Sequence, residues 1–260
     1  MVIAKDQLRR DPARGGTAPV GRGSDTRRLE TPAILAVAAE AREFAGLLKH
    51  ASDVVRLSWP LSFACKAVIG GQPWVLVANG PGATLAHEAV WTGCGMTAVR
   101  AIVSTGYCGG LDPKLVVGDV FAATEVRVHS NSGVYAAMPV QAPHSGLLLS
   151  VDRVAVTRRE KAALASHGGA AVEMEAGAVA AVAGSMGLPF YCVRVVSDTA
   201  GEELPLDFNR YRDQAGRFSR AGIALAALTR PWLIAGLIRF DRNSRRAALT
   251  LGDFLADCRF

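Results

Sequence analysis

The sequence predicts a layered α/β domain that begins near Thr31 and follows a separate leader. From Thr31 onward, short apolar runs alternate with small-residue stretches at helical spacing, which is typical of an α/β domain. The chain has 260 residues, of which 50% are hydrophobic and 20% are charged. That length allows one domain with a full core, or two small domains, and the composition excludes disorder of the whole chain. Residues 1–30 are polar, glycine-rich and without sustained periodicity, and we predict a disordered basic leader there.

The short apolar runs predict the strands. Ala33–Ala38 is the first, and a Gly-Gly turn joins Phe63–Ile69 to Trp74–Ala78 as a hairpin. Further strands are expected at Ala101–Ser104, Asp119–Val128, Gly146–Ser150, Val154–Val156 and Phe190–Val196. The stretch between Val128 and Gly146 leaves space only for a loop.

Helical spacing of small and apolar residues predicts the helices that separate these strands. They are expected at Glu40–His50, Thr84–Cys94 and Val172–Met186. From Phe208 to the C-terminus the chain is predicted to be mostly helical. No internal repeat is present in the sequence.

The positive charge is confined to the two ends of the chain. The formal charge is +6, from 29 basic and 23 acidic side chains. Residues 1–30 hold 7 basic and 4 acidic side chains and residues 229–260 hold 6 and 3, so residues 31–228 are neutral. Because the ends also lack the interleaved aromatic side chains of a base-stacking surface, we expect no nucleic-acid partner.

The cysteine and histidine pattern argues against a metal site. The five cysteines are widely scattered in mostly apolar surroundings, which is typical of buried free thiols in a reducing cytosol. The sequence has no C-x-x-C pair and no close-spaced pair of histidine or cysteine ligands. We therefore expect no metal and no cofactor.

Neither end of the chain has the pattern of a secretory signal or a spanning helix. Charged residues from Lys5 to Arg10 occupy the place where a secretory signal needs its apolar stretch. The apolar run Pro231–Ile238 is far shorter than the roughly 20 residues that a spanning helix requires. The sequence predicts a soluble, cytoplasmic protein.

A glycine-rich turn separates the strand Trp74–Ala78 from the helix predicted at Thr84. It contains Asn79, Gly80 and Gly82. Glycines there allow backbone N–H groups to point at a ligand beside the positive end of the helix dipole. A plain connection between strand and helix explains the turn equally well.

Two carboxylates stand close together at the start of the predicted helix Val172–Met186. Glu173 and Glu175 flank Met174 in a segment otherwise made of Ala, Gly and Val. Buried carboxylates are costly unless each has a partner or a ligand hydroxyl, so this pair is a candidate binding site. The alternative is a surface turn stabilised by the helix dipole.

The strand Phe190–Val196 contains one arginine, Arg194, and ends at Ser197 and Asp198. Ligands of open α/β sheets gather outside the carboxyl ends of strands, so Asp198 stands where catalytic groups are common. The alternative is that Asp198 caps a following helix.

Three segments together resemble the nucleoside phosphorylase and nucleosidase superfamily. They are STGYCGGLDPKLVVGDV (104–120), VEMEAGAVAAVAGSMGLPF (172–190) and VRVVSDTA (193–200). The pattern is most similar to that of 5′-methylthioadenosine/S-adenosylhomocysteine nucleosidases and extends from about Ala33 to Arg220. The resemblance implies a three-layer α/β sandwich with a central mixed β-sheet and a catalytic domain at 31–228, which leaves residues 229–260 as a predicted basic helical extension. It also implies cleavage of the N-glycosidic bond of an adenosine-type nucleoside, and a homodimer.

The resemblance assigns the chemistry of the leaving base to the S-D motif. Asp198 would protonate N7 of the purine and turn the base into a neutral leaving group, which is general acid catalysis. Ser197 would orient Asp198, and Arg194 would organise the same corner of the site.

The resemblance assigns sugar binding to the second segment and to the glycine-rich turn. Glu175 would bind the ribose hydroxyls, Met174 would pack against the sugar, and Glu173 belongs to the same substrate-binding group. Contacts of this kind strengthen as positive charge develops on the ribose, so they serve the transition state. Asn79, with Gly80 and Gly82, corresponds to the family's loop near the ribose and the nucleophile.

Hydrolases of this family use a glutamate just after the first strand to deprotonate the attacking water. Glu40 and Glu43 are the candidates here. Glu43 is preferred because Phe44 and Leu47 follow it, as in the family's acidic cluster. Glu40 would then lie on a solvated face.

Two features depart from the nucleosidase pattern. Val154 stands where the family carries the aromatic residue that stacks on the base, so the purine preference is less secure than the glycosidic-bond chemistry. After Thr229 the chain adds a basic stretch that the nucleosidases lack, and its mixture of apolar and arginine positions resembles the hopanoid-associated phosphorylase branch.

Phosphorolysis is the nearest alternative to hydrolysis. Phosphorylases of this superfamily hold inorganic phosphate with an arginine beside the strand that here ends at 102–106, but no arginine lies in that segment. Water is therefore the favoured nucleophile. A degenerate nucleoside-binding protein is a second alternative, although retention of both Glu175 and Asp198 argues against it.

The C-terminal tail combines an apolar run with arginines. Trp232–Ile238 precedes Arg239, Arg242, Arg245 and Arg246. An amphipathic helix of this composition can lie in an anionic membrane interface, so peripheral membrane contact is one interpretation. The other is a helix that covers the sheet or a dimer surface with its arginines solvated.

Overall fold

The computed structural model describes residues 31–213 and 216–260. The predicted leader, residues 1–30, lies outside the described residues. Within the described ranges, ten strands form one mixed sheet. The strands are β1 (Ala33–Ala38), β2 (Ala51–Arg56), β3 (Phe63–Ile69), β4 (Gln72–Ala78), β5 (Val99–Gly110), β6 (Val120–Val128), β7 (Val134–Ala136), β8 (His144–Ser150), β9 (Ala171–Glu173) and β10 (Phe190–Asp198). The α-helices are α1 (Ala83–Met96), α2 (Arg158–Ala165), α3 (Ala176–Ser185), α4 (Arg220–Thr229) and α5 (Trp232–Asp257).

Four parallel strands form the centre of the sheet. β1 lies between β4 and β5 and pairs in parallel with both, and β10 pairs in parallel with β5. The carboxyl ends of all four therefore meet at one edge. Antiparallel β3 and β2 extend the sheet beyond β4, and β10, β6, β8 and β9 pair in turn until β9 returns to β5.

Helices cover both faces of the sheet because the strands are apolar on both sides. In β1, Leu35 and Val37 face α1 and α3, while Ile34 and Ala36 face α5. This alternation is the period-2 pattern of a strand buried between two layers. The expected three-layer α/β sandwich with a central mixed sheet is confirmed, as are the hairpin of β3 and β4 and the helical C-terminal region.

The predicted helix Glu40–His50 is wrong. Two short 3-10 helices, Ala41–Phe44 and Leu47–His50, replace it. The backbone at Gly46, between them, lies directly against the backbone of α5, and a Cβ there would overlap it. Tertiary packing overrides the helical spacing of this segment.

The predicted helix Val172–Met186 is wrong in its first turn. Residues Ala171–Glu173 form β9, which pairs with β5 and β8, and α3 begins only at Ala176. The ladder hydrogen bonds of β9 satisfy backbone groups that a helix would satisfy internally. Glu173 therefore ends a strand, and Glu175 occupies the N-cap position of α3.

Three smaller differences separate the structure from the prediction. Val154–Val156 is not a strand, because the side chain of Asn209 bonds both the N–H and the C=O of Val154. The stretch between Val128 and Gly146 contains β7, which pairs with β6. β2 and α2 were not predicted, since β2 is largely exposed and α2 is a short polar segment.

The C-terminal helix α5 has two different halves. Its second half packs on the sheet and buries Ala247, Ala248, Leu251 and Leu255. Its first half and α4 leave several large apolar side chains exposed. No helix in the ranges 31–213 and 216–260 is long and apolar enough to cross a membrane.

Candidate active site

A cavity of about 960 Å³ opens at the carboxyl ends of the four parallel strands. This is the position at which open α/β sheets bind ligands. Six carboxylates line it: Glu40, Glu43, Glu173, Glu175, Asp198 and Asp241. Apolar side chains of α4, α5 and the segments before them complete the lining: Leu204, Phe208, Phe218, Ile223, Ala227, Leu237 and Phe240.

Glu43 follows β1 and is buried. Its Oε1 accepts the N–H of Glu40 at 2.8 Å, and its Oε2 accepts the N–H of Tyr107 at 3.1 Å. Gly106 makes this approach possible, because its φ is 126° and a Cβ there would overlap Oε2 of Glu43. Burial raises the pKa of Glu43 to about 7 despite these hydrogen bonds and the charge of Arg194. A carboxylate with that pKa can take a proton from water near neutral pH.

Glu40, the other candidate, faces the rim of the cavity. Its carboxylate pairs with Arg42 at 2.7 Å and lies 3.7 Å from Arg220. Two arginines therefore neutralise it, whereas Glu43 is held by backbone N–H groups alone. Of the two candidates, Glu43 is therefore the one without a direct arginine partner.

Glu173 and Arg194 form a buried ion pair behind the cavity. Arg194 is fully buried and donates to Glu173 Oε2 at 2.6 Å, and to Ser104 Oγ and the C=O of Thr105. The same Oε2 accepts the N–H groups of Glu175 and Ala176, each at 2.8 Å. Glu173 thus fixes the start of α3 and the position of Glu175. A direct contact of Glu173 with substrate stays a prediction.

Glu175 joins the second segment to the glycine-rich turn. Its Oε1 accepts the N–H of Gly82 at 2.8 Å, and Oε2 lies 3.8 Å from Arg194. Burial and the neighbouring Glu173 raise the pKa of Glu175 above its usual range. Met174, beside it, is buried and lines the cavity.

The glycine-rich turn is held from several sides. The Asn79 amide donates to Glu88 at 2.8 Å, and its oxygen accepts from Arg217 at 3.3 Å. Gly80 has a φ of 128° and Gly82 a φ of 98°, a region that other residues rarely adopt. Asn79 thus braces the loop, while Gly82 contacts the candidate sugar-binding carboxylate.

Asp198 lies at the end of β10 with both carboxylate oxygens engaged. Ser197 Oγ donates to Oδ1 at 2.6 Å, and Lys161 Nζ donates to Oδ2 at 2.5 Å. Gly109 on β5 is adjacent, and a Cβ there would come within 3.2 Å of Oδ2. Asp198 therefore reaches the cavity with a fixed orientation rather than capping a helix.

Val154, at the position where the family carries its base-stacking aromatic residue, is apolar but not aromatic. Val154 lines the cavity, held by its backbone bonds to Asn209. Phe208 also lines the cavity and packs against Phe218 and Phe240, with ring centroids 6.0 Å and 5.5 Å apart. Aromatic surface is thus supplied by a different part of the chain from the one the sequence pattern suggested.

A comparison with protein families identifies the superfamily of this chain. The model of the family described as the phosphorylase superfamily matches residues 34–146 and 138–229. The chain belongs to the phosphorylase superfamily.

Relatives within the phosphorylase superfamily carry one recurring name. A 5′-methylthioadenosine/S-adenosylhomocysteine nucleosidase of Tolumonas auensis is 28% identical over 218 residues, which are 72% of this chain and 95% of the relative. The enzyme of the same name from a Shewanella species is 27% identical over 188 residues, covering 60% and 80%.

Solved structures of the same superfamily share the fold. The nucleosidase of Neisseria meningitidis, in complex with methylthio-immucillin-A, superposes with a TM-score of 0.66 at 23% identity, over 87% of this chain and 97% of that chain. The nucleosidase of Campylobacter jejuni superposes with a TM-score of 0.67 at 16% identity, also over 87% and 97%. At this level of identity the likeness shows the fold alone.

Sequence reasoning missed two contributors to this superfamily site. Lys161 is isolated in a polar helix that was not predicted, and nothing in its neighbours marks it as buried. Tyr107 contributes only its backbone N–H. Gly106 was the one sequence signal for the contact between Glu43 and β5, since a glycine inside a buried strand often marks a position where another group approaches the backbone closely.

Proposed function

We propose that this member of the phosphorylase superfamily cleaves the N-glycosidic bond of a purine nucleoside of the adenosine type, with water as nucleophile. The observation that carries the proposal is Glu43, a buried carboxylate with a pKa of about 7 in the same cavity as Asp198 and Glu175. The relatives named nucleosidases support the same reaction.

Each group has one task in the proposed reaction. Glu43 accepts a proton from the attacking water, and Asp198 donates a proton to N7 of the departing base. Glu175 binds the ribose hydroxyls, contacts that gain strength as the sugar becomes oxocarbenium-like. Glu173 and Arg194 hold Glu175 in place from behind the cavity.

Water is favoured over inorganic phosphate because the arginines at the cavity already have partners. Arg42 pairs with Glu40, Arg153 with Glu160 and Arg245 with Asp241, and Arg220 lies 3.7 Å from Glu40. Arg194, behind the cavity, is bonded to Glu173 and to β5. Phosphate binding would require cationic groups released from these pairs. Incubation with and without phosphate decides the matter. Free ribose in both conditions supports hydrolysis, and phosphate-dependent ribose 1-phosphate would overturn it.

The apolar part of the cavity suggests the 5′ side of the substrate. Between 223 and 237 the lining side chains are all apolar: Ile223, Ala224, Ala227 and Leu237. Arg220 of α4 and Asp241 and Arg245 of α5 also line the cavity, so only part of this wall is free of charge. A screen by mass spectrometry of adenosine, 5′-methylthioadenosine, S-adenosylhomocysteine and a long-chain adenosyl lipid measures base release from each. Release of adenine from none of the four would contradict the proposed function.

We also propose that α4 and the first half of α5 contact an anionic membrane surface. Leu228 is 78% exposed, Trp232 73% and Ile238 62%. The exposed Arg230, Arg239 and Arg242 accompany them. Near anionic lipid each basic side chain contributes about 1 kcal/mol, while the apolar side chains enter the interface.

Vesicle sedimentation tests this contact without removing α5. The double variant W232S/I238S should lose binding to anionic vesicles at low salt, whereas V134S, an exposed valine on β7, should bind as the wild type does. Equal binding by both variants, or none by the wild type, would overturn the proposal. The homodimer and the cytoplasmic location stay predictions, checked by light scattering and cell fractionation.

A further inference from the structure

Lys161 is a buried cation that contacts Asp198. It lies on α2, and its side chain is 1% exposed. Its Nζ is 2.5 Å from Asp198 Oδ2, 2.7 Å from the C=O of Thr199 and 3.0 Å from the C=O of Glu202. A lysine is almost never fully buried unless it is paired, and Asp198 is the charged partner here. The open question is whether this pair has a role in the reaction.

The three partners of Lys161 match its hydrogen-bonding capacity in two protonation states. An ammonium has three N–H donors, one for each partner. If the proton moves to Asp198 Oδ2, the remaining amine keeps two N–H donors for the C=O groups of Thr199 and Glu202. Its lone pair then accepts the new O–H. Each of the three partners therefore keeps a hydrogen bond to Lys161 in both protonation states.

We propose that Lys161 is a positioning residue that supplies Asp198 with the proton given to the purine base. In this transfer an N–H bond of Lys161 breaks and an O–H bond forms on Asp198. That O–H bond then breaks as the proton reaches N7, and the glycosidic electron pair departs with the neutral base. Product release and proton uptake from water restore the ammonium. The inference rests on the proposed purine nucleosidase function and deepens it.

The alternative is that Lys161 only ties the loop after β10 to α2. Its bonds to Thr199 and Glu202 have that effect whatever the chemistry. The two roles differ in their dependence on the leaving group. A p-nitrophenolate departs as a stable anion and needs no proton, whereas a purine does.

The experiment compares a purine nucleoside with a p-nitrophenyl riboside that has the same 5′ group. In K161M, turnover of the purine nucleoside should fall by about 10²-fold or more, with a small change for the p-nitrophenyl riboside. D198N should show the same pattern with a loss of about 10²–10⁴-fold. The ratio of the two rates in one preparation does not depend on the fraction folded. Loss of both activities in parallel, unchanged purine turnover, or faster purine turnover in K161M would overturn the proposal.

A double variant gives a second and independent test. If Lys161 acts through Asp198, K161M/D198N should lose no more purine turnover than D198N alone, because groups acting as one unit are not additive. Additive losses would show a separate, structural effect of Lys161. Failure of the wild type to release base from any nucleoside would count against the proposed function itself, before any variant is compared.

Discussion

In the proposed reaction, the burial of the Glu43 carboxyl group sets the pH dependence of turnover. Its pKa is raised from the ordinary value of 4.5 to about 7, chiefly by burial. The base is active as the carboxylate, so kcat/KM of the wild type should rise about tenfold per pH unit below pH 7 and level off above it. In E43Q this rise should vanish together with most of the turnover. A wild-type profile that is flat from pH 5 to 8 would contradict the assignment.

The raised pKa of Glu43 also makes the free energy of unfolding depend on pH. A carboxyl group whose pKa is raised in the folded state stabilises the protein below its unfolded pKa, and this contribution disappears as the pH rises through about 7. The part of the stability that depends on Glu43 should therefore decline between about pH 4.5 and 7. Urea unfolding of the wild type and E43Q across this range measures it. E43Q should show the smaller pH dependence.

Glu175 is expected to discriminate the sugar. E175Q preserves the shape of the side chain and its bond from Gly82 but weakens recognition of the ribose hydroxyls. Turnover of the ribonucleoside should fall, and 2′- and 3′-deoxyribose analogues should lose much of their disadvantage. E203Q changes an exposed glutamate and is the matched control. If E175Q still discriminates as the wild type does, another residue reads the hydroxyls.

At the scale of elements, α5 and the segment after β1 meet through their backbones. A Cβ on Gly252 would overlap the backbone of Gly46 and Leu47, which cannot move aside as a flexible side chain could. G252V should therefore lower the free energy of unfolding by about 1–3 kcal/mol or more, as overpacking does. Gly184 in α3 has open space around its Cβ position, so G184A should instead be neutral or stabilising by up to about 1 kcal/mol. Chemical denaturation of both variants makes the comparison.

The segment 172–186, which contains Glu173 and Glu175, shows why the start of α3 was mispredicted. Its Ala, Gly and Val residues suit a helix, and helical spacing alone extends α3 back to Val172. In the fold, Ala171 and Val172 face two neighbouring strands with unpaired backbone groups, and pairing with them outweighs one extra helical turn. The local sequence carries no record of those neighbours, so only the assembled sheet determines where α3 begins.

At the scale of the whole molecule, the C-terminal segment is part of the core. Leu251 and Leu255 are buried against the sheet, and each contributes about 1.5–3 kcal/mol of burial. Because the total stability of a domain is only about 5–15 kcal/mol, a chain ending at Thr229 should fail to unfold cooperatively. Circular dichroism during urea titration measures this. A cooperative transition like that of the full chain would show that α5 is dispensable.

The sequence by itself determined the α/β class and the central strands, because these depend on local periodicity. The three motifs were recognised by their resemblance to a known superfamily. The preference for Glu43 over Glu40 came from the resemblance, because Phe44 and Leu47 follow Glu43 as in the family's acidic cluster, and it stays a prediction. Only the tertiary structure decided that Lys161 meets Asp198, that Glu173 braces Glu175, and that α5 forms part of both the core and the cavity wall. These contacts join residues that are far apart in the sequence or that meet through backbone groups. Such contacts produce no hydrophobic periodicity in the local sequence, so the sequence pattern does not reveal them.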